Sequence, residues 1–69
     1  MAAITPETST KARVLRVFEA APADLSMSDA ARRAGVSLAT ASTYIKVLVA
    51  EGALEESRRI GNAKLFRVR

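Results

Sequence analysis

The stretch Ser26–Gly52, SMSDAARRAGVSLATASTYIKVLVAEG, leaves this chain few choices. Two helix-forming segments flank Gly35-Val36-Ser37, and each begins after a serine suited to capping a helix. Ser26 and Asp29 have the spacing of a capping box, in which the serine oxygen caps the helix and the acid three residues on reaches back. Ala30, Ala31 and Ala34 then fall on the inner side of the first segment, where small side chains permit close packing, and Arg32 and Arg33 face out. Gly35 stands where a left-handed C-cap ends a helix, with Val36 following as a plug into the core. Ser37 opens the second segment, which runs towards Gly52. At about 100° per residue its Ala41, Ile45 and Leu48 share one face, with Tyr44 at the edge. Tyr44 reads as a core-edge residue with a wet hydroxyl rather than a base contact.

Two helices joined through so short a turn are the arrangement in which the second helix enters the major groove of DNA. Its outward face carries Ala39, Thr43, Lys46 and Ala50, with Thr40 and Ser42 to the sides. The exposed N-terminal half is thus small and polar, as close approach to base edges requires. Hydroxyls bond bases or phosphates, and alanine or a threonine methyl meets a thymine methyl. No arginine, asparagine or glutamine stands there, so specificity is expected to be modest or to lean on DNA shape. No acid follows Ser37 in the first turn, which leaves the positive end of that helix open to an anion such as a phosphate.

The flanks complete a small domain. Thr5-Pro6-Glu7 is a helix start, and Val14, Val17, Phe18 and Ala21 recur on one face of a helix over residues 6–21 that Pro22 ends. Arg13 and Arg16 point away from that face, and Leu15 lies on its flank. Residues 1–5 are expected to be flexible. After Gly52, Ala53–Ser57 and Lys64–Val68 read as two strands around Arg58–Ala63, with Gly61-Asn62 as the turn signal. Phe66 and Val68 are expected to face the core, and Leu65, Arg67 and Arg69 to face out. A two-residue loop at Gly61-Asn62 puts Leu54 and Phe66 on opposite faces, although both look like core residues. An odd-numbered loop or a bulge repairs the conflict.

Charge is distributed unevenly. The formal net charge is +4, and the last twelve residues hold Arg58, Arg59, Lys64, Arg67 and Arg69 with no acid. That tail reads either as the footprint of a polyanion binder or as an edge strand kept soluble by its cations. Histidine and cysteine are both absent, which removes the commonest general base, a thiolate metal site and any disulfide. The only adjacent acids are Glu55-Glu56, and neighbours in a strand point to opposite faces, so no carboxylate pair forms an enzyme site. No cofactor or metal is expected. A core built from 69 residues is thin, and oligomerisation is expected to supplement it. No apolar run approaches a membrane span or a signal peptide, so the expected setting is cytoplasmic and nucleoid-associated.

Residues Leu25 to Val68 closely resemble the winged helix-turn-helix domains of small archaeal and bacterial transcription regulators, of the broad ArsR- and MarR-like kind. The likeness rests on Leu25, Ala31, Gly35-Val36-Ser37, Thr40, the Ala41/Ile45/Leu48 spacing, Glu51-Gly52-Ala53-Leu54 and the tail RRIGNAKLFRV. It implies one mainly helical α+β domain over residues 1–69, with a helix-turn-helix at 26–52 and a C-terminal wing at 53–69. It implies a homodimeric double-stranded-DNA binder, a transcriptional regulator whose helix 38–51 lies in the major groove. The wing, residues 58–64, would lie on the backbone or in the minor groove. Ser37, Thr40 and Lys46 match phosphate-contacting positions, and Leu38, Ala39, Ser42 and Thr43 match base-facing ones. Arg58, Arg59 and Lys64 match the wing, with Asn62 at its turn. Leu38 stands where a polar or basic residue is more usual, and Thr43 where arginine is frequent. Lys46, Arg58, Arg59 and Lys64, with one of Arg13, Arg16 or Arg32, suggest roughly four to six phosphate contacts per subunit, and a log–log salt slope of about −4 to −5. A second reading is a protein-interaction winged helix of a larger transcription or replication assembly, with Leu15, Val47 and Val49 as exposed aliphatic contacts. RNA binding gains nothing from Phe18, Tyr44 and Phe66, which form no stacking platform.

Overall fold

The computed structural model describes the backbone of residues 6–21 and 23–69 and the side chains of 10–21 and 23–69. Thr5, the expected flexibility of residues 1–5 and the expected stop at Pro22 lie outside the described residues. In chain order the elements are α1 (Pro6–Ala20), β1 (Leu25–Ser26), α2 (Met27–Ala34), α3 (Leu38–Ala50), β2 (Leu54–Ile60) and β3 (Ala63–Val68). Three helices pack on a three-stranded antiparallel sheet of order β1-β3-β2, which is a winged helix-turn-helix.

The core lies where the three helices meet the sheet. Val14 and Phe18 from α1, the three alanines of α2, Ala41, Ile45 and Leu48 from α3, and Leu25, Leu54 and Phe66 from the strands are all buried. The helical faces read from sequence are therefore the ones that pack. Leu15 is the exception: it is half-buried against this cluster, because the flank of α1 also meets the core.

Local chemistry sets the helix boundaries. The Asp29 amide donates to Ser26 Oγ at 3.1 Å, and the Thr40 amide donates to Ser37 Oγ at 3.1 Å, so both serines cap their helices. The other half of the expected capping box does not form. Asp29 takes the Arg32 guanidinium at 2.6 Å, since aspartate is a methylene shorter than the glutamate that usually reaches back. Gly35 adopts φ 73 and ψ 34, and the Val36 amide reaches the Ala31 carbonyl at 3.1 Å, closing α2 as a Schellman turn. A side chain at Gly35 would meet no neighbour, so backbone conformation alone favours glycine there. Helix α3 ends at Ala50 with Glu51 as its C-cap, one residue earlier than the expected span of 38–51.

The hairpin differs most from expectation. Its strands run through Ile60 and Ala63, so Arg58 and Arg59 are strand residues rather than loop residues. The loop is the two residues Gly61-Asn62, with Gly61 at φ 60, the glycine-first pattern of a tight hairpin turn. A bulge at Ser57 then shifts the register from Arg58↔Leu65 to Glu56↔Phe66. That single extra residue puts Leu54 and Phe66 on the same face, and both reach the core. Val68 does not: it is 40% exposed near the open end of the sheet, at the rim of a cavity lined by Phe18 and Glu19 of α1. The two-residue strand β1 pairs Leu25 with Phe66 and Ser26 with Leu65, and so attaches the wing directly to the start of α2.

Candidate nucleic-acid interface

Helix α3 presents two usable surfaces. The outward one carries Ala39, Thr43, Lys46 and Ala50, all exposed as expected. Thr43 Oγ1 donates to the Ala39 carbonyl at 3.0 Å, so its proton is engaged and the hydroxyl is left as an acceptor. Such a group suits an exocyclic amine of adenine or cytosine better than a carbonyl. At the start of the helix, Ser37 Oγ donates to Thr40 Oγ1 at 2.9 Å. The Thr40 hydroxyl proton is thereby turned to other acceptors, which a phosphate oxygen can supply.

The second surface is a groove of about 670 Å³ between α3 and the wing. Leu38, Ser42 and Lys46, one turn apart along the helix, line its first wall. Ile60, Asn62 and Lys64 line the second. Met27, at the start of α2, also lines it, and no acidic residue does. Of the expected site residues, this groove gathers Leu38, Ser42, Lys46, Asn62 and Lys64. Ser37 and Thr40 belong to the helix start, and Ala39 and Thr43 to the adjoining outward face.

Wing charges are not equivalent. Arg58 Nε donates to Asp24 Oδ2 at 3.0 Å while Ser57 Oγ donates to the same oxygen at 2.5 Å. The Ser57 hydroxyl, and then the Arg58 guanidinium, hold the Asp24 carboxyl below its ordinary value. Arg67 is likewise paired with Glu55 at 2.8 Å. Arg59 is different. It lies directly opposite Lys64 across the hairpin, and among the described residues neither is ion-paired. Like charges facing each other destabilise a strand pair, and an anion bound between them relieves the repulsion. Because Arg58 and Arg59 are consecutive strand residues, they project to opposite faces.

Asp24 is the residue that sequence reasoning overlooked as part of this region. Its only visible signal was its position just before the extended segment, and its partners lie 33 and 34 positions away. Glu55 and Glu56 pair with Arg67 and Phe66 on opposite faces of the sheet, as strand alternation requires. Phe18 and Phe66 are buried, so neither offers a face on which a base could stack. Among the described residues, no cluster of three or more His, Cys, Asp or Glu side chains is placed to hold a metal. No described helix is long and apolar enough to cross a membrane.

The family profile described as the IclR helix-turn-helix domain matches residues 12–58, from within α1 to Arg58 in the wing. No curated protein and no solved structure matches the chain.

Proposed function

Since the chain belongs to the IclR helix-turn-helix domain family, a winged helix-turn-helix family of DNA-binding transcription regulators rather than of enzymes, we propose that it binds duplex DNA by inserting α3 into the major groove with the wing lying along the backbone or the minor groove. Ser37, Thr40 and Lys46 contact phosphates, and Leu38, Ala39, Ser42 and Thr43 face the bases. Arg59 and Lys64 grip the backbone from the wing, with Asn62 at its tip. Arg58 contributes only by leaving Asp24, and its main role is to hold the wing in place. The family match supports the winged helix-turn-helix expected from the ArsR- and MarR-like resemblance and does not extend to that subfamily.

One observation carries the reading: an acid-free groove has Lys46 on one wall and Lys64 on the other, with Arg59 facing Lys64 across the hairpin. A sugar–phosphate strand supplies the repeated anions that such a groove needs. With Arg32 and Arg58 engaged by carboxylates, three or four free cations remain near the interface, and the log–log salt slope falls to about −3 to −4 per subunit. Fluorescence anisotropy of a labelled duplex across a salt series measures it, and a slope near zero would overturn the reading.

The domain acts as a homodimer in the bacterial or archaeal cytoplasm, associated with the nucleoid. Val47 and Val49, each 37% exposed on the flanks of α3, supply apolar surface for a dimer seam. The same two residues favour the second reading, a protein-interaction module in a larger assembly. Light scattering with and without duplex separates the two: a dimer that binds DNA supports the first, and a monomer indifferent to DNA supports the second.

A further inference from the structure

Leu38 occupies the first position of α3 and is 53% exposed, followed along the N-terminal half of the helix by the small or hydroxyl-bearing Ala39, Thr40, Ser42 and Thr43. It packs on no core layer, and its neighbours one and two turns along, Ser42 and Lys46, are polar. An exposed leucine at the tip of a DNA-facing helix gains nothing from water and nothing from phosphate. It gains from apolar surface on the partner. Along the base edges of the major groove the 5-methyl group of thymine is the apolar projection, beside hydrogen-bond donors, acceptors and the smaller C5–H of cytosine. Beside Leu38 the groove carries further apolar surface in Met27 and Ile60, and Ile60 is itself 57% exposed. Lys46 and Lys64 stand where the flanking phosphates of a strand entering the groove would be held.

We propose that Leu38 is a base reader that selects thymine by its 5-methyl group, so that DNA is preferred over an otherwise identical strand carrying uracil. This inference rests on the DNA-binding reading above. It also supplies a base contact on a helix that carries no arginine, asparagine or glutamine. The contact needs a methyl group within van der Waals reach of Leu38 and is indifferent to which base pair presents it. A 5-methylcytosine placed where thymine would stand therefore restores it.

The test compares four duplexes of equal length at one low salt concentration: alternating adenine–thymine, alternating adenine–deoxyuracil, alternating guanine–cytosine and alternating guanine–5-methylcytosine. Wild type is expected to bind the methylated member of each pair tighter by about fourfold or more, the factor for burying one methyl-sized apolar group. Leu38→Ala is expected to bind both members of each pair with the wild-type affinity for the unmethylated member, and Leu38→Met to keep the preference. Circular dichroism confirms that both variants retain the wild-type helix content, as an exposed position allows. Equal binding of wild type to both members of each pair overturns the proposal while leaving DNA binding intact. A preference that survives Leu38→Ala overturns it too, and assigns the difference to duplex shape. Failure of wild type to bind any of the four overturns the DNA-binding reading, and the proposal with it.

Discussion

The α2–α3 pair and the β2–β3 hairpin face the same groove with opposite chemistries. Helix α3 brings methyl groups, hydroxyls and a single lysine, on a scaffold clamped by Ala41, Ile45 and Leu48. The hairpin brings charge, on strands whose outer halves are exposed beyond the core. A surface that must approach base edges closely is best made small and rigid. One that must meet phosphates at variable distance is best made long-armed and cationic. Within the wing, carboxylates divide the labour again. Asp24 and Glu55 tie down Arg58 and Arg67, leaving Arg59 and Lys64 as the charges available to an anion towards the Gly61-Asn62 turn, while Arg69 lies at the other end of the hairpin near Gly52. Position in the fold, rather than the number of cations, determines which ones can bind.

The contrast can be broken first at the scaffold. Ile45 is fully buried under both surfaces. Ile45→Ala is expected to destabilise the domain by about 2–5 kcal/mol and to abolish reading and gripping together. Urea unfolding followed by circular dichroism measures it. Ser37→Ala removes a cap from α3 alone and is expected to cost about 1 kcal/mol in the same experiment, with little effect on the hairpin.

Asp24 tests the wing's attachment. The Ser57 hydroxyl and the Arg58 guanidinium hold its carboxyl below the ordinary value when folded, so the unfolded chain takes up the proton first as pH drops. The stability it contributes is complete at neutral pH and is lost as pH falls below about 4. Asp24→Asn is therefore expected to lower the urea midpoint at pH 7, and the gap from wild type is expected to narrow steadily as pH falls below about 4. A gap between the two proteins that is unchanged at low pH would remove Asp24 from the account. The smallest expected effect is on reading. Thr43→Ala should alter preference among duplexes by a few-fold and leave stability nearly untouched, as competition binding on sequence variants would detect. Equal loss on every duplex would argue that Thr43 reads no base.

The helical half of the molecule was legible because its rules are local. Caps, the left-handed glycine and the Ala41/Ile45/Leu48 stripe each depend on residues within a turn or two of one another. The bulge at Ser57 was partly legible, because the parity conflict between Leu54 and Phe66 demanded one extra residue somewhere in the hairpin. The pairing of β1 with β3 was not, since two residues carry no alternation to recognise. The Asp24–Ser57–Arg58 cluster was hidden for a related reason: its members meet only once β1, β2 and β3 have assembled. As for the candidate site, residue types pointed to α3 and the wing. Which wing cations are free depends on partners that sequence spacing does not reveal.

The most direct test of the shared groove compares salt dependence in three proteins: wild type, Arg59→Ala/Lys64→Ala and Arg58→Ala. The double variant is expected to lose about two units of log–log slope and to weaken on every duplex alike. Arg58→Ala, whose guanidinium is already held by Asp24, is expected to keep the wild-type slope. Equal slopes for wild type and the double variant would contradict the assignment of the wing as the element that grips.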